Sequence, residues 1–323
     1  MSTTLHRPGF AVDPWDPGYA AAVGADAVGD LDGSSAELDL DVEIPAEEWA
    51  PVVPAATAAP PKALLVADGV RRIDARVWMD GPPGEPPVAG IAASYAAGIV
   101  RCVPGEAPAE LVAIEVNRSL FSALPHVPDV RTPVAVYEAR EGGDGSFDGL
   151  SLALQVRLTE LEARLAVRYR AETGEEELLL VDGPLRTRLP STVGFVKTHH
   201  KVYLPGAQAA VVAALRPGER TPVFLMGTNW RRHSWYLRLP VRSRAPWAGV
   251  ARCEAGAELA RSEVVALADA ITLMLPSLAG IDYKDPRAPQ NLVPIGGLEK
   301  LLRHRLGDPA LLYRALCSAA ARS

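Results

Sequence analysis

Leu178-Leu179-Leu180-Val181-Asp182-Gly183-Pro184 sets four consecutive apolar residues before a carboxylate and turn chemistry, after the polar stretch Ala171-Glu172-Thr173-Gly174-Glu175-Glu176. A run too short for a helix and apolar on both faces predicts a strand covered from both sides, the pattern of parallel strands in α/β proteins. Just upstream, Leu154, Leu158, Leu161 and Leu165 repeat at helical spacing, which predicts a helix from Leu150 to Arg170. Further upstream, Ala63-Leu64-Leu65-Val66-Ala67 is another apolar run, ending in Asp68-Gly69. Val70 to Trp78 then alternates, with Ile73, Ala75 and Val77 on one face and Arg72, Asp74 and Arg76 on the other. That pattern is a strand pair or one long bent strand. Val88–Val103, Leu111–Val116 and Pro133–Ala139 read as further strands, with a loop from Pro82 to Pro87. Downstream come Val193–Lys197, a short helix near Ala207–Leu215, and strands at Pro222–Met226, Ser234–Leu239 and Gly249–Glu254. Helical segments Glu258–Leu275, Gly297–Arg305 and Ala310–Ala320 close the chain. The succession predicts an α/β fold with a mixed sheet flanked by helices.

The 323 residues are 48% apolar and 22% charged, near globular averages, which excludes disorder over the whole length. No run of about 18 apolar residues exists to span a membrane, and Met1 to Pro8 lacks a signal-peptide core. Cys102, Cys253 and Cys317 are odd in number and far apart, so they form neither a disulfide framework nor a zinc site. These features lead us to expect a cytoplasmic protein. Its charge is uneven: residues 1–60 hold eleven acids against Arg7 alone, net −10, and the remainder carries +4. Residues 1–60 therefore read as an acidic, Pro/Ala-rich arm and linker, with a turn at Asp13-Pro14-Trp15-Asp16-Pro17-Gly18 and an extended stretch from Pro51 to Pro61. Trp15 and Trp49 are the groups that would dock it on the body, residues 61–323. Only that body has the charge to hold nucleic acid.

Three carboxylates stand where chemistry needs them. Asp68 and Asp182 each follow an apolar strand, and ligands in open α/β sheets sit beyond the strand carboxyl ends. Helical geometry separates the third from its neighbour. Glu162 lies four residues after Leu158 and four before Ala166, on the apolar stripe; Glu160 lies between Arg157 and Arg164, on an ion-pair face. A core-facing glutamate is costly unless paired or bound to a cation, which selects Glu162. Each member has a plainer reading. Asp-Gly also makes hairpin turns, less readily at 182–184 because of the proline, and a glutamate at a stripe edge snorkels. Together, three acids at one sheet end would hold hard divalent ions, Mn²⁺ or Mg²⁺, and two such ions about 4 Å apart clamp both oxygens of a phosphodiester displacement. Nucleotide-binding glycine loops are absent. Val196-Lys197-Thr198-His199-His200-Lys201, Arg71-Arg72 and Trp230-Arg231-Arg232-His233 are basic clusters that would contact phosphate or simply face solvent.

In Val66-Ala67-Asp68-Gly69-Val70-Arg71-Arg72, the helix Leu158–Ala166 with its glutamate, and Leu180-Val181-Asp182-Gly183-Pro184-Leu185, the chain resembles the NurA nuclease family, partners of the HerA hexameric DNA translocase. Gly194-Phe195-Val196-Lys197, Ser234-Trp235-Tyr236-Leu237-Arg238-Leu239 and Asp285-Pro286-Arg287-Ala288-Pro289-Gln290-Asn291-Leu292 with Leu298-Glu299 look like its later landmarks, in order over about residues 60–310. The resemblance implies an RNase H-like fold, Mn²⁺-dependent cleavage of DNA by single-strand endonuclease and 5′-to-3′ exonuclease action, a HerA-like ATPase partner, a homodimer, and a place in DNA repair or defence. It makes Asp68, Glu162 and Asp182 the metal-binding acids and Lys197 a basic residue at the site. Archaeal members place a histidine in the C-terminal segment; here Gly296-Gly297-Leu298-Glu299 occupies that stretch, leaving Asn291, Asp285 or Glu299 as substitutes. A non-catalytic adaptor on a ring ATPase is the alternative that this departure raises.

Overall fold

The computed structural model describes residues 10–12, 37–81, 83–105, 108–174, 177–197, 203–227, 230–241, 247–281 and 288–322. Its spine is β3 (Leu64–Met79), a single 16-residue strand. Asp68-Gly69 lies inside it rather than at a turn, because apolar residues on both sides continue one ladder with β4 (Val88–Cys102), in which Asp68 faces Gly98. A bulge between Ile73 and Ala75 bends the strand. There the buried Asp74 is satisfied by Arg72 Nε at 2.8 Å, Tyr137 OH at 2.9 Å and the Ser94 hydroxyl. The structure thus resolves the two sequence alternatives in favour of one long bent strand.

β5 (Glu110–Ser122) continues antiparallel beyond β4, and longer than expected, because Leu120 and Phe121 extend its buried stretch. The edge is finished by β6 (Val130–Arg131) and β7 (Val136–Glu141), the latter displaced from the expected Pro133–Ala139. α1 (Phe147–Thr173) follows, capped where Ser146 Oγ accepts Gly149 N–H at 3.0 Å. On the other side of β3 stand β8 (Leu178–Asp182) and β9 (Thr192–Val196), both parallel to it. β9 is buried along its whole length, while β8, expected to be covered from both sides, is buried over Leu178–Leu180 and half-buried at Val181 and Asp182. After α2 (Gly206–Ala214) come β10 (Phe224–Gly227), β11 (Arg231–Arg238) and β12 (Val250–Gly256). α3 (Arg261–Met274), α4 (Val293–Arg305) and α5 (Pro309–Ala320) end the chain. With the short strands β1 (Phe10–Val12) and β2 (Glu37–Asp39), the described residues form a mixed sheet of order β2-β10-β11-β12-β9-β8-β3-β4-β5-β7-β6, with β1 on the far end of β3.

Strand alternation divides the core into two layers. Leu64, Val66 and Val70 pack with Ile271, Met274, Ile295, Leu298 and Leu302 of α3 and α4. Leu65, Ala67 and Ile73 pack with the α1 stripe Leu154, Leu158, Leu161 and Leu165 on the opposite face. Each fully buried leucine contributes about 1.5–3 kcal/mol, so the sheet is held from both sides. Residues 37–60, which read in the sequence as part of an acidic arm, are tied into the sheet. β2 joins the sheet beside β10, and Trp49 packs tilted against Phe224 with ring centroids 5.8 Å apart while its Nε1 donates to Leu40 O at 3.0 Å. Trp15 lies outside the described residues. Among the described residues, no helix is long and apolar enough to cross a membrane.

Candidate metal centre

Register places the first two acids. Ala67 pairs with Val181 in the parallel ladder, so Asp68 and Asp182, one residue on, project to the same face as Val66 and Leu180. That face is covered by α4, and a glycine sets how closely. A Cβ on Gly98, directly across from Asp68, would stand 2.9 Å from Leu298 Cδ1 and 3.0 Å from Leu302 Cδ2. Without it α4 settles onto the sheet and brings Glu299 to the aspartates. Oxygens of Asp68, Asp182 and Glu299 lie within 4.8 Å of one another.

Glu162 arrives from the other face. A Cβ on Gly69 would overlap Glu162 Oε1 and stand 2.7 Å from Leu158 Cδ1, so the glycine is what lets α1 approach β3 here. β8 pairs with β3 only over Leu64–Ala67 and β1 returns only at Val77, so the edge of β3 between them is open among the described residues. A cavity of about 570 Å³ lies at that opening, lined by Asp68, Glu162, Asp182 and Glu299, by Lys197, Arg71, Arg186 and Arg303, and by Gln155, Thr159 and Gln290. The sequence-selected Asp68, Asp182, Glu162 and Lys197 thus line one cavity. The tight trio takes Glu299 from α4, with Glu162 on the α1 wall.

The electrostatics are those of charge packed without enough compensation. Asp68 is 8% exposed; Oδ1 accepts Gly69 N–H at 2.7 Å, while Oδ2 is buried with no hydrogen-bond partner among the described residues. Desolvation first, then the charges of Asp182, Glu162 and Glu299, hold its pKa well above the usual carboxylate range, against the pull of Lys197. Desolvation, followed by the charge of Asp182, pushes Glu162 up to about 8, opposed by Arg186. Lys197 Nζ donates to Asp182 Oδ2 at 2.6 Å and to Asn291 Oδ1 at 3.0 Å. A buried carboxylate oxygen lacking a donor costs several kcal/mol unless a cation meets it. Oxygen-only donors of this kind suit a hard divalent ion.

Other sequence candidates are engaged elsewhere. Arg72 binds Asp74 and the Gly307 and Leu306 carbonyls at the end of α4, and Glu160 pairs with Arg157 at 2.7 Å. Arg232 sits 3.2 Å from Glu254, and His233 Nε2 meets Leu259 O at 3.3 Å, so neither is a simple phosphate grip. Arg71 lines the cavity and is lowered by burial. Asp285, Thr198, His199, His200 and Lys201 lie outside the described residues. No protein-family model matches the chain, and no curated protein matches it.

Proposed function

We propose that the protein is a divalent-metal-dependent DNA nuclease, a phosphodiester hydrolase whose ion is held by Asp68, Asp182 and Glu299. The observation that carries this is the convergence of those three carboxylates beside the buried, donorless Asp68 Oδ2. The sheet supports an RNase H-like core: antiparallel β3, β4 and β5, then α1, then β8 and β9 parallel to β3, in spatial order β5-β4-β3-β8-β9. Acids on the central strand and its parallel neighbour agree with that reading. A bound Mn²⁺ or Mg²⁺ would polarise a phosphoryl oxygen and lower the pKa of a water.

The protein groups around it have separate tasks. Glu162 stands apart from the trio on the α1 wall, where it would take a proton from an attacking water once a bound cation has drawn its raised pKa down. Lys197 places a fixed positive charge where a phosphate would lie against Asp182. Arg71, Arg186 and Arg303 at the cavity wall would receive neighbouring phosphates, which makes binding fall with salt. The preference for DNA, the HerA-like hexameric partner that would deliver it, and the homodimer come from the family resemblance. A body charge of +4 is small for holding DNA unaided.

Labelled linear DNA incubated with Mn²⁺ tests the proposal. Wild type should cleave, EDTA should stop it, and Asp68→Ala should slow it by about a thousandfold, the scale of losing a group that stabilises transition-state charge. Equal, intact DNA from wild type and variant, with a ring ATPase also supplied, would leave the non-catalytic adaptor standing instead.

A further inference from the structure

The position of Lys197 bears on how many ions the centre accepts, a question that rests on the metal-centre reading above. Lys197 is the first residue after β9, whose five residues are all buried, so its stem leaves a fixed point. Its ammonium is held at two places: 2.6 Å from Asp182 Oδ2 and 3.0 Å from Oδ1 of Asn291, a residue 1% exposed beside the start of α4. Two-ion centres place their ions about 3.5–4 Å apart and ask shared carboxylates to serve both. Here one oxygen of Asp182 already serves a cation.

Charge points the same way. Asp68, Asp182, Glu162 and Glu299 are matched in number by Lys197, Arg71, Arg186 and Arg303 along the same lining, a formal balance of zero even with every acid ionised. One divalent ion takes that balance to +2 and a second to +4, so the second meets a cavity already positive. The second ion would enter a pocket that repels it. The three oxygens lying within 4.8 Å of each other form one ligand set. We propose that this centre binds a single divalent ion and that the Lys197 ammonium, fixed by Asp182 and Asn291, excludes a second. In the cleavage reaction Lys197 would then supply the positive charge that another ion provides in two-ion centres.

Mn²⁺ titration of the full chain without DNA, followed by calorimetry and by the electron paramagnetic resonance signal of free Mn²⁺, reads the count directly. Wild type should bind one ion per chain. Lys197→Met should bind two, the added site being weaker. Two ions in wild type would overturn the inference, whatever the variant does, so a misfolded variant does not protect it. One ion in both proteins would overturn it too, because Lys197 would not be the excluding group. If wild type binds none, the metal-centre reading itself falls, and circular dichroism of the same samples separates that result from loss of fold.

Discussion

Two buried charge clusters in this molecule are built from the same residue types and differ in whether they close. At Arg220, 1% exposed, the guanidinium meets Glu43 through two bonds of 2.8 and 2.9 Å and Asp269 at 2.7 Å. The second oxygen of Asp269 accepts Ala55 N–H at 3.1 Å, and Glu43 Oε2 also accepts Val223 N–H at 2.6 Å. Burial alone would pull the Arg220 pKa down, but bonding and charge from Glu43 and Asp269 hold it above its ordinary value. Around Asp68 the bonds do not close: Asp182, Glu162 and Glu299 raise its pKa against Lys197 alone, and Oδ2 has no donor among the described residues. The first cluster ties Glu43 and Ala55 to the sheet and α3; the second carries an electrostatic cost that, on the proposed function, a cation would relieve. Closure is what a structural ion pair shows; the unclosed cluster is the candidate site.

The largest expected effect separates them by readout. Asp68→Ala, which on the proposed function should slow cleavage about a thousandfold, should leave the melting temperature in EDTA unchanged or higher, since a poorly compensated buried carboxylate is gone. A marked fall in that melting temperature would mean that Asp68 is as structural as Arg220. Arg220→Met should do the reverse. It strands Glu43 and Asp269 and should cost about 3–5 kcal/mol in urea denaturation, with Mn²⁺ affinity of the folded fraction unchanged. A loss under about 1 kcal/mol would show that Glu43 and Ala55 are not held by this cluster.

Next in size is a pH dependence confined to the open cluster. Folded, Glu162 binds its proton up to about pH 8; its ordinary value is 4.5. Between those values the folded state holds more protons than the unfolded one, so stability without metal should fall as pH rises from about 5 to 8. The slope reaches at most about 1.4 kcal/mol per pH unit for each proton, and the raised Asp68 adds in the same direction. Saturating Mn²⁺ should flatten the curve and release protons. Melting curves at several pH values, with and without Mn²⁺, check this, and a stability that climbs through this range would contradict the raised pKa values.

Much of the frame was legible because it is local. The apolar run 178–181 fixes a buried strand, and the leucine stripe fixes α1 and separates Glu162 from Glu160. The continuity of β3 through Asp68-Gly69 was not, since an Asp-Gly pair carries turn chemistry unless β4 and β8 hold it in register on both sides. Nor was the convergence of Glu299 with Asp68. It depends on α4 crossing β4 at Gly98, a contact two hundred residues apart in sequence that no periodicity encodes. Adjacent glycines were the available signal: Gly69 and Gly98 flank Asp68 along and across the sheet, each the point where a helix presses down.

The smallest expected effect lies within one helix. Glu160 and Glu162 are two residues apart, with Glu160 in an exposed pair with Arg157 and Glu162 at the cavity wall. An exposed pair three residues apart on a helix contributes only a few tenths of a kcal/mol, so Glu160→Gln should change stability by less than about 0.5 kcal/mol and leave the Mn²⁺ isotherm where it was. Glu162→Gln keeps the shape and removes the charge that Asp68 and Asp182 feel. It should therefore shift the pH curve of the metal-free protein. If the two variants moved that curve equally, the distinction between an open cluster and solvated surface charge would lose its physical basis.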